Sequence, residues 1–222
     1  MKRLVSKTGW EIVNEEGPDF KGGTFRDRPK NVVALLENTV RQYPNKVGFI
    51  FEGESLTFRE FDNIVNKIAA GLEKHGVRPG NHVAVLLGIQ PEFPLTFFAL
   101  MKLGAIIVPL NTRFKGEELA YEINDSESKV LIVDEEFWPF IERVRGQLET
   151  IEKIFFNGRD TAGGTFPFLL VRENDGDVFT RAEVSESDDG AIMYTSGTTG
   201  KPKGAILRHR GFVITAMLVS DF

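Results

Sequence analysis

Between residues 47 and 156 the chain alternates short apolar runs with amphipathic stretches, and this rhythm restricts the fold more than any other feature. Strands are expected at 47–51, 82–87, 105–108, 129–133 and 151–156. Helices are expected between them, at 91–103, at 116–124 and around Phe137, Phe140, Ile141, Val144 and Leu148. A strand–helix–strand order needs crossover connections, and crossovers make parallel strands covered on both faces. The run His82-Val83-Ala84-Val85-Leu86-Leu87 has no polar alternation, as a doubly covered strand requires. The expected fold class is therefore α/β, a mostly parallel sheet with helices on both faces.

Two further helices announce their own starts. Asn31 is placed to cap a helix whose Val32, Leu35, Leu36, Val40 and Tyr43 share one face. Thr57-Phe58-Arg59-Glu60 fits a capping box, with Phe61, Ile64, Val65, Ile68 and Leu72 following at helical spacing and Gly76 as the stop. His75, just before that stop, sits where a cation is favourable. The same reading divides the chain into an irregular segment 1–30, an α/β core 31–156, a loop-rich connection 157–189 with one short helix around Pro167 to Arg172, and a hairpin 190–208.

Composition removes several classes of function. The 222 residues are 41% hydrophobic, enough for a core, and carry a net charge of −5. A mixed, slightly acidic chain gives no basic field for nucleic acid. No cysteine is present, so disulfides, thiolate metal sites and thiol nucleophiles are excluded. The three histidines, His75, His82 and His209, lie too far apart to form a metal-ligand spacing, and no metal ligands are assigned. The N-terminus lacks the apolar stretch of a signal peptide, and a cytoplasmic location is expected. The apolar stretch 93–110 is interrupted by Pro94, Lys102, Gly104 and Pro109, so it reads as a buried helix and strand rather than a transmembrane span.

The sharpest motif comes late. Ala191-Ile192-Met193-Tyr194 reads as a strand and Ala205-Ile206-Leu207 as another. Between them run Thr195-Ser196-Gly197-Thr198-Thr199-Gly200-Lys201-Pro202-Lys203-Gly204. Glycines let a backbone approach a ligand and turn its amides inward. Hydroxyls on Thr195, Ser196, Thr198 and Thr199 add donors, and Lys201 and Lys203 add positive charge. This is the donor set of a phosphate cradle. It differs from a Walker A loop, because proline follows Gly200-Lys201 where that loop needs a hydroxyl residue. It is also far longer than the turns most hairpins use.

The stretch from Tyr194 to Gly204 resembles the signature loop of the AMP-binding, adenylate-forming superfamily without a break. Leu56-Thr57-Phe58-Arg59-Glu60-Phe61, Gly76-Val77-Arg78-Pro79-Gly80-Asn81 and Leu103-Gly104-Ala105-Ile106-Ile107-Val108-Pro109-Leu110-Asn111 are similar to further motifs of that superfamily. Asn111-Thr112-Arg113 resembles the acyl-CoA synthetase (fatty-acid–CoA ligase) branch more than the amino-acid-activating one. The resemblance implies the N-terminal AMP-binding domain of an enzyme using ATP, Mg2+ and coenzyme A to convert a carboxylic acid to acyl-AMP and then acyl-CoA.

By the same resemblance Tyr194, Thr195, Ser196, Gly197, Thr198, Thr199, Gly200, Lys201, Lys203 and Gly204 bind the nucleotide's phosphates. Lys203 and His209 are the expected catalytic residues, Lys203 ahead of Lys201 as the functional cation. The superfamily's later adenine, ribose and hinge motifs and its mobile C-terminal domain with a catalytic lysine are not found. The expectation is a truncated domain, inactive alone, whose C-terminal part is missing or carried on another chain. The alternatives are an amino-acid- or aryl-acid-activating branch, or a non-catalytic nucleotide- or partner-binding remnant. The closing segment is expected to expose Val213, Ile214, Met217 and Leu218.

Overall fold

The structure, a computed structural model, describes residues 4–5, 11–17, 20–160, 162–173, 179–195 and 201–220. Every core strand expected between residues 82 and 156 forms. They are β6 (His82–Leu86), β7 (Ile106–Pro109), β8 (Val130–Asp134) and β9 (Lys153–Asn157), preceded by the elements β1 to β5 given below. The connecting helices are α2 (Phe58–Lys74), α3 (Glu92–Leu103), α4 (Glu117–Asp125) and α5 (Trp138–Val144), after a first helix α1 (Val32–Gln42). Beyond β9 come β10 (Phe166–Pro167), α6 (Phe168–Arg172), β11 (Asp189–Thr195), β12 (Lys203–Arg208) and α7 (His209–Ser220).

Seven of these strands make one sheet in the order β10-β9-β8-β6-β7-β11-β12. All neighbours are parallel except the last pair, β11 and β12. The strand side chains divide by parity between two cores. Val83 and Val85 of β6, Ile107 of β7, Ile132 of β8 and Phe155 of β9 face α1, α2, α3, α6 and α7. Ala84 and Leu86, Val108, Leu131 and Val133, and Phe156 face α4 and α5. The unbroken apolar runs are thus explained by burial on both sides.

The helix starts follow their capping residues. Asn31 Oδ1 accepts from the Ala34 amide at 2.8 Å. The Thr57 amide donates to Glu60 Oε2 at 2.8 Å, and the Glu60 amide to Thr57 Oγ1 at 3.2 Å, which completes the capping box. The interrupting Lys102 is buried on α3, where its Nζ reaches Asp62 at 2.7 Å and Asn66 at 2.6 Å on α2. A single lysine in an apolar helix here ties two helices together. No helix among the described residues is long and apolar enough to cross a membrane.

Five expectations are corrected. The described part of segment 1–30, expected to be irregular, contains β1 (Leu4–Val5), β2 (Glu11–Gly17) and β3 (Phe20–Phe25), which form an antiparallel sheet. Its glycines sit at a strand end and inside a strand, so they punctuate a hairpin rather than a coil. The connection 157–189 holds the expected short helix, α6, but also β10, which extends the sheet beside β9. His75 is not the cation at the end of α2. Burial, Lys153 and Lys74 push its pKa down, its ring packs near Phe155 and Phe166, and Lys153 Nζ meets the His75 carbonyl instead. Val213 and Met217 are buried with α1 against the larger core, leaving Leu218 exposed. The strand expected at 47–51 forms as β4 (Val47–Phe51), but it pairs with β5 (Glu54–Thr57) in a two-stranded sheet of its own rather than joining the parallel sheet.

Candidate functional site

In open α/β sheets ligands bind beyond the carboxyl ends of the parallel strands. The Gly- and Thr-rich segment leaves the sheet there. Strand β11 runs parallel to β7, ends at Thr195, and is rejoined by β12 at Lys203, with Tyr194 opposite Gly204 and Thr195 opposite Lys203. Of the expected phosphate-binding residues, Ser196, Gly197, Thr198, Thr199 and Gly200 lie outside the described residues. Thr195, Lys201, Lys203 and Gly204 are all exposed around the hairpin end, and Tyr194 is half-buried. A hydroxyl and two ammonium groups facing solvent at one hairpin tip fit a polyphosphate.

Gly204 has a second reason to be glycine. A Cβ there would come within 2.8 Å of Ile192 Cγ2 and 3.3 Å of Tyr194 Cζ. Crowding inside the hairpin, not ligand approach alone, excludes a side chain.

Helix α4 borders the site, which the sequence did not reveal. Tyr194 donates its hydroxyl to Asp125 Oδ2 at 2.7 Å. Tyr121 donates to the Pro202 carbonyl at 3.3 Å, and Lys201 Nζ lies 5.3 Å from the Tyr121 ring centroid. Beside these groups a cleft of about 370 Å³ opens between Leu110, Asn111, Glu122, Tyr194 and Thr195. Glu122 is 1% exposed and its Oε2 has no hydrogen-bond partner among the described residues. Burial pushes its carboxyl up to about 7, against the hydrogen bond from the Asn111 amide and with help from Glu118.

The two expected catalytic residues are not together. Lys203 opens β12 and His209 follows its last residue, so they stand roughly 20 Å apart along the strand. The His209 ring is 1% exposed, and neither ring nitrogen has a partner among the described residues. Burial lowers its pKa, with Asp188 opposing. Gly190 makes room for it, since a Cβ there would meet Phe212 at 3.3 Å and His209 at 3.5 Å. This is a packed, neutral imidazole at the end of the sheet away from the hairpin tip.

A larger cavity of about 810 Å³ lies by the β4–β5 hairpin, lined by Phe49, Ile50, Leu56, Ile64 and Phe93. Its lining is mainly apolar, with Ser55, Thr112 and Arg172 among its polar groups and no lysine, whereas the hairpin tip gathers Thr195, Lys201 and Lys203. Among the described residues no three His, Asp or Glu side chains gather as metal ligands.

A parallel α/β sheet with this hairpin at the carboxyl end of its strands is the architecture of adenylate-forming enzyme N-terminal domains. The chain belongs to the AMP-binding enzyme family, whose model matches residues 36–221. It is 31% identical over 190 residues to the crotonobetaine/carnitine–CoA ligase of Salmonella paratyphi A, covering 81% of this chain and 37% of that protein. It is 29% identical over 169 residues to the 3-hydroxybenzoate–CoA/4-hydroxybenzoate–CoA ligase of Thauera aromatica, covering 76% and 32%. The crystal structure of the anthranilate CoA ligase AuaEII in complex with anthranoyl-AMP superimposes with a TM-score of 0.80 at 34% identity, over 85% of this chain and 36% of that one. The chain therefore spans about a third of the length of these relatives.

Proposed function

We propose that this chain supplies the phosphate-handling part of an ATP-dependent carboxylic acid–CoA ligase. In the reaction, a carboxylate attacks the α-phosphorus of ATP, giving acyl adenylate and pyrophosphate. The coenzyme A thiol then attacks the acyl carbon and AMP leaves. Negative charge gathers on the departing pyrophosphate, so fixed donors and cations that meet it lower the barrier. Lys203 is assigned as the main cation, with Lys201 and the Thr195 hydroxyl beside it. Mg2+, bound with ATP, supplies further charge neutralisation, and no residue of this chain is assigned to hold it.

The observation that supports the reading most is the exposed set of Thr195, Lys201 and Lys203 at the carboxyl end of β11. His209 is left out of the chemistry because of its burial and distance. A fatty acid is the finer reading of the acid, resting on Asn111-Thr112-Arg113. An aryl or short polar acid competes with it, because the named relatives act on such acids. These 222 residues alone are proposed to bind pyrophosphate without completing turnover, since positioning supplies much of the catalysis and they span only a third of their relatives.

Titration of the chain with pyrophosphate and ATP tests this. Saturable binding is expected, weakened about tenfold or more in Lys203→Ala, as for loss of a charge-assisted contact. ATP–pyrophosphate exchange with a panel of fatty, aryl and short polar acids is expected to stay at background. Absence of anion binding would sink the reading, and exchange with one acid class would overturn the inertness and name the substrate.

A further inference from the structure

The phosphate hairpin is gripped from one side by a single helix face. Tyr121 and Asp125 are four residues apart on α4 and so lie side by side. Asp125 accepts from Tyr194, the residue before Thr195, at 2.7 Å. Tyr121 donates to Pro202, the residue before Lys203, at 3.3 Å, while its ring lies under Lys201. Thr195 and Lys203 are partners in the strand ladder, so the contacts lie just inside that rung on β11 and just outside it before β12.

Two further features are accounted for by such a grip. Gly204 faces Tyr194, and its missing side chain leaves space for the tyrosine ring to cross the hairpin toward Asp125. Asp125 is the last residue of α4, with no basic residue in that turn. A carboxylate at a helix C-terminus is disfavoured by the helix dipole, so α4 gains nothing from it on its own. Both phenols are shifted up by burial and by Asp125, which keeps them protonated and donating.

We propose that Tyr121 and Asp125 are positioning residues that clamp both ends of the phosphate hairpin to α4 and fix Lys201 and Lys203 for the polyphosphate. This rests on the phosphate reading above for its purpose, and on the α4 contacts for its geometry.

Amide hydrogen exchange at Thr195, Lys201, Lys203 and Gly204 is the direct measurement, made on the 222-residue chain and on Tyr121→Phe, Asp125→Ala and Asp125→Asn. Exchange is expected to rise about fivefold in Tyr121→Phe and Asp125→Ala, as for loss of one net hydrogen bond. Asp125→Asn is expected to stay near the unsubstituted chain, because its amide oxygen still accepts from Tyr194. Pyrophosphate affinity is expected to weaken about three- to tenfold in Tyr121→Phe and Asp125→Ala.

Unchanged exchange in both variants would overturn the clamp. So would an equal rise at β8 amides, which marks general loosening. If the exchange changes appear but the unsubstituted chain binds no pyrophosphate, the phosphate reading falls and only a tether remains.

Discussion

At the scale of single residues, the buried Glu122 makes the stability of the chain depend on pH near neutrality. Its carboxyl is raised from 4.5 to about 7 by burial. Between those values the folded state keeps a proton that the unfolded state releases. The stabilisation is therefore complete below about pH 4.5 and is lost as pH rises through about 7, on the order of 3 kcal/mol in total. Glu122→Gln keeps the shape and removes the titration. Urea midpoints are expected to fall from about pH 5 to about pH 8 in the unsubstituted chain and to change much less in the variant. This residue was not legible in the sequence, because a glutamate on an amphipathic helix reads as solvent-facing. Lys102 escaped for the opposite reason: it read as an interruption, and only the neighbouring helix shows it paired with Asp62.

At the scale of elements, α2 and α6 meet backbone to backbone at Gly71. A Cβ on Gly71 would come within 2.7 Å of the Val171 carbonyl oxygen and 2.8 Å of its Cα. Alanine is the better helix former by about 1 kcal/mol, but the atoms it meets are backbone and do not swing aside. Gly71→Ala is expected to destabilise by about 1–3 kcal/mol, read as a lower urea midpoint at unchanged slope. The core elements themselves were legible, because apolar periodicity, Asn31 and the Thr57–Glu60 box are local signals. The N-terminal sheet and β10 were not, since their pairing is a non-local choice that composition does not record. The hairpin strands were legible from the apolar runs Ala191–Tyr194 and Ala205–Leu207 that flank the polar segment. The clamp was not: Tyr194 and Pro202 are 69 and 81 residues from the α4 side chains that hold them.

At the scale of the whole molecule, β12 is the open edge of the sheet. All six of its residues are exposed, including Ile206 at 58%. An exposed edge strand with apolar side chains such as Ile206 invites pairing with a second copy. Light scattering is expected to show mass rising with concentration, and Ile206→Lys, at a position facing solvent, is expected to reduce that rise. A monodisperse monomer at high concentration would count against it. With Val213 and Met217 buried, the apolar surface expected on α7 is reduced to its end, at Leu218 and Val219, and is joined by Ile206 and Leu207 of β12.

The strand order also dictates a sequence of assembly on the ribosome. Strands β6, β7, β8 and β9 emerge first and pair among themselves, while β7's second edge waits for β11, some 80 residues later. Non-local pairing of this kind is slow to form. The hairpin proposed to meet a nucleotide is thus built only after the strands it joins, and a nascent chain carries an uncovered apolar edge, Ile106–Pro109, until β11 arrives.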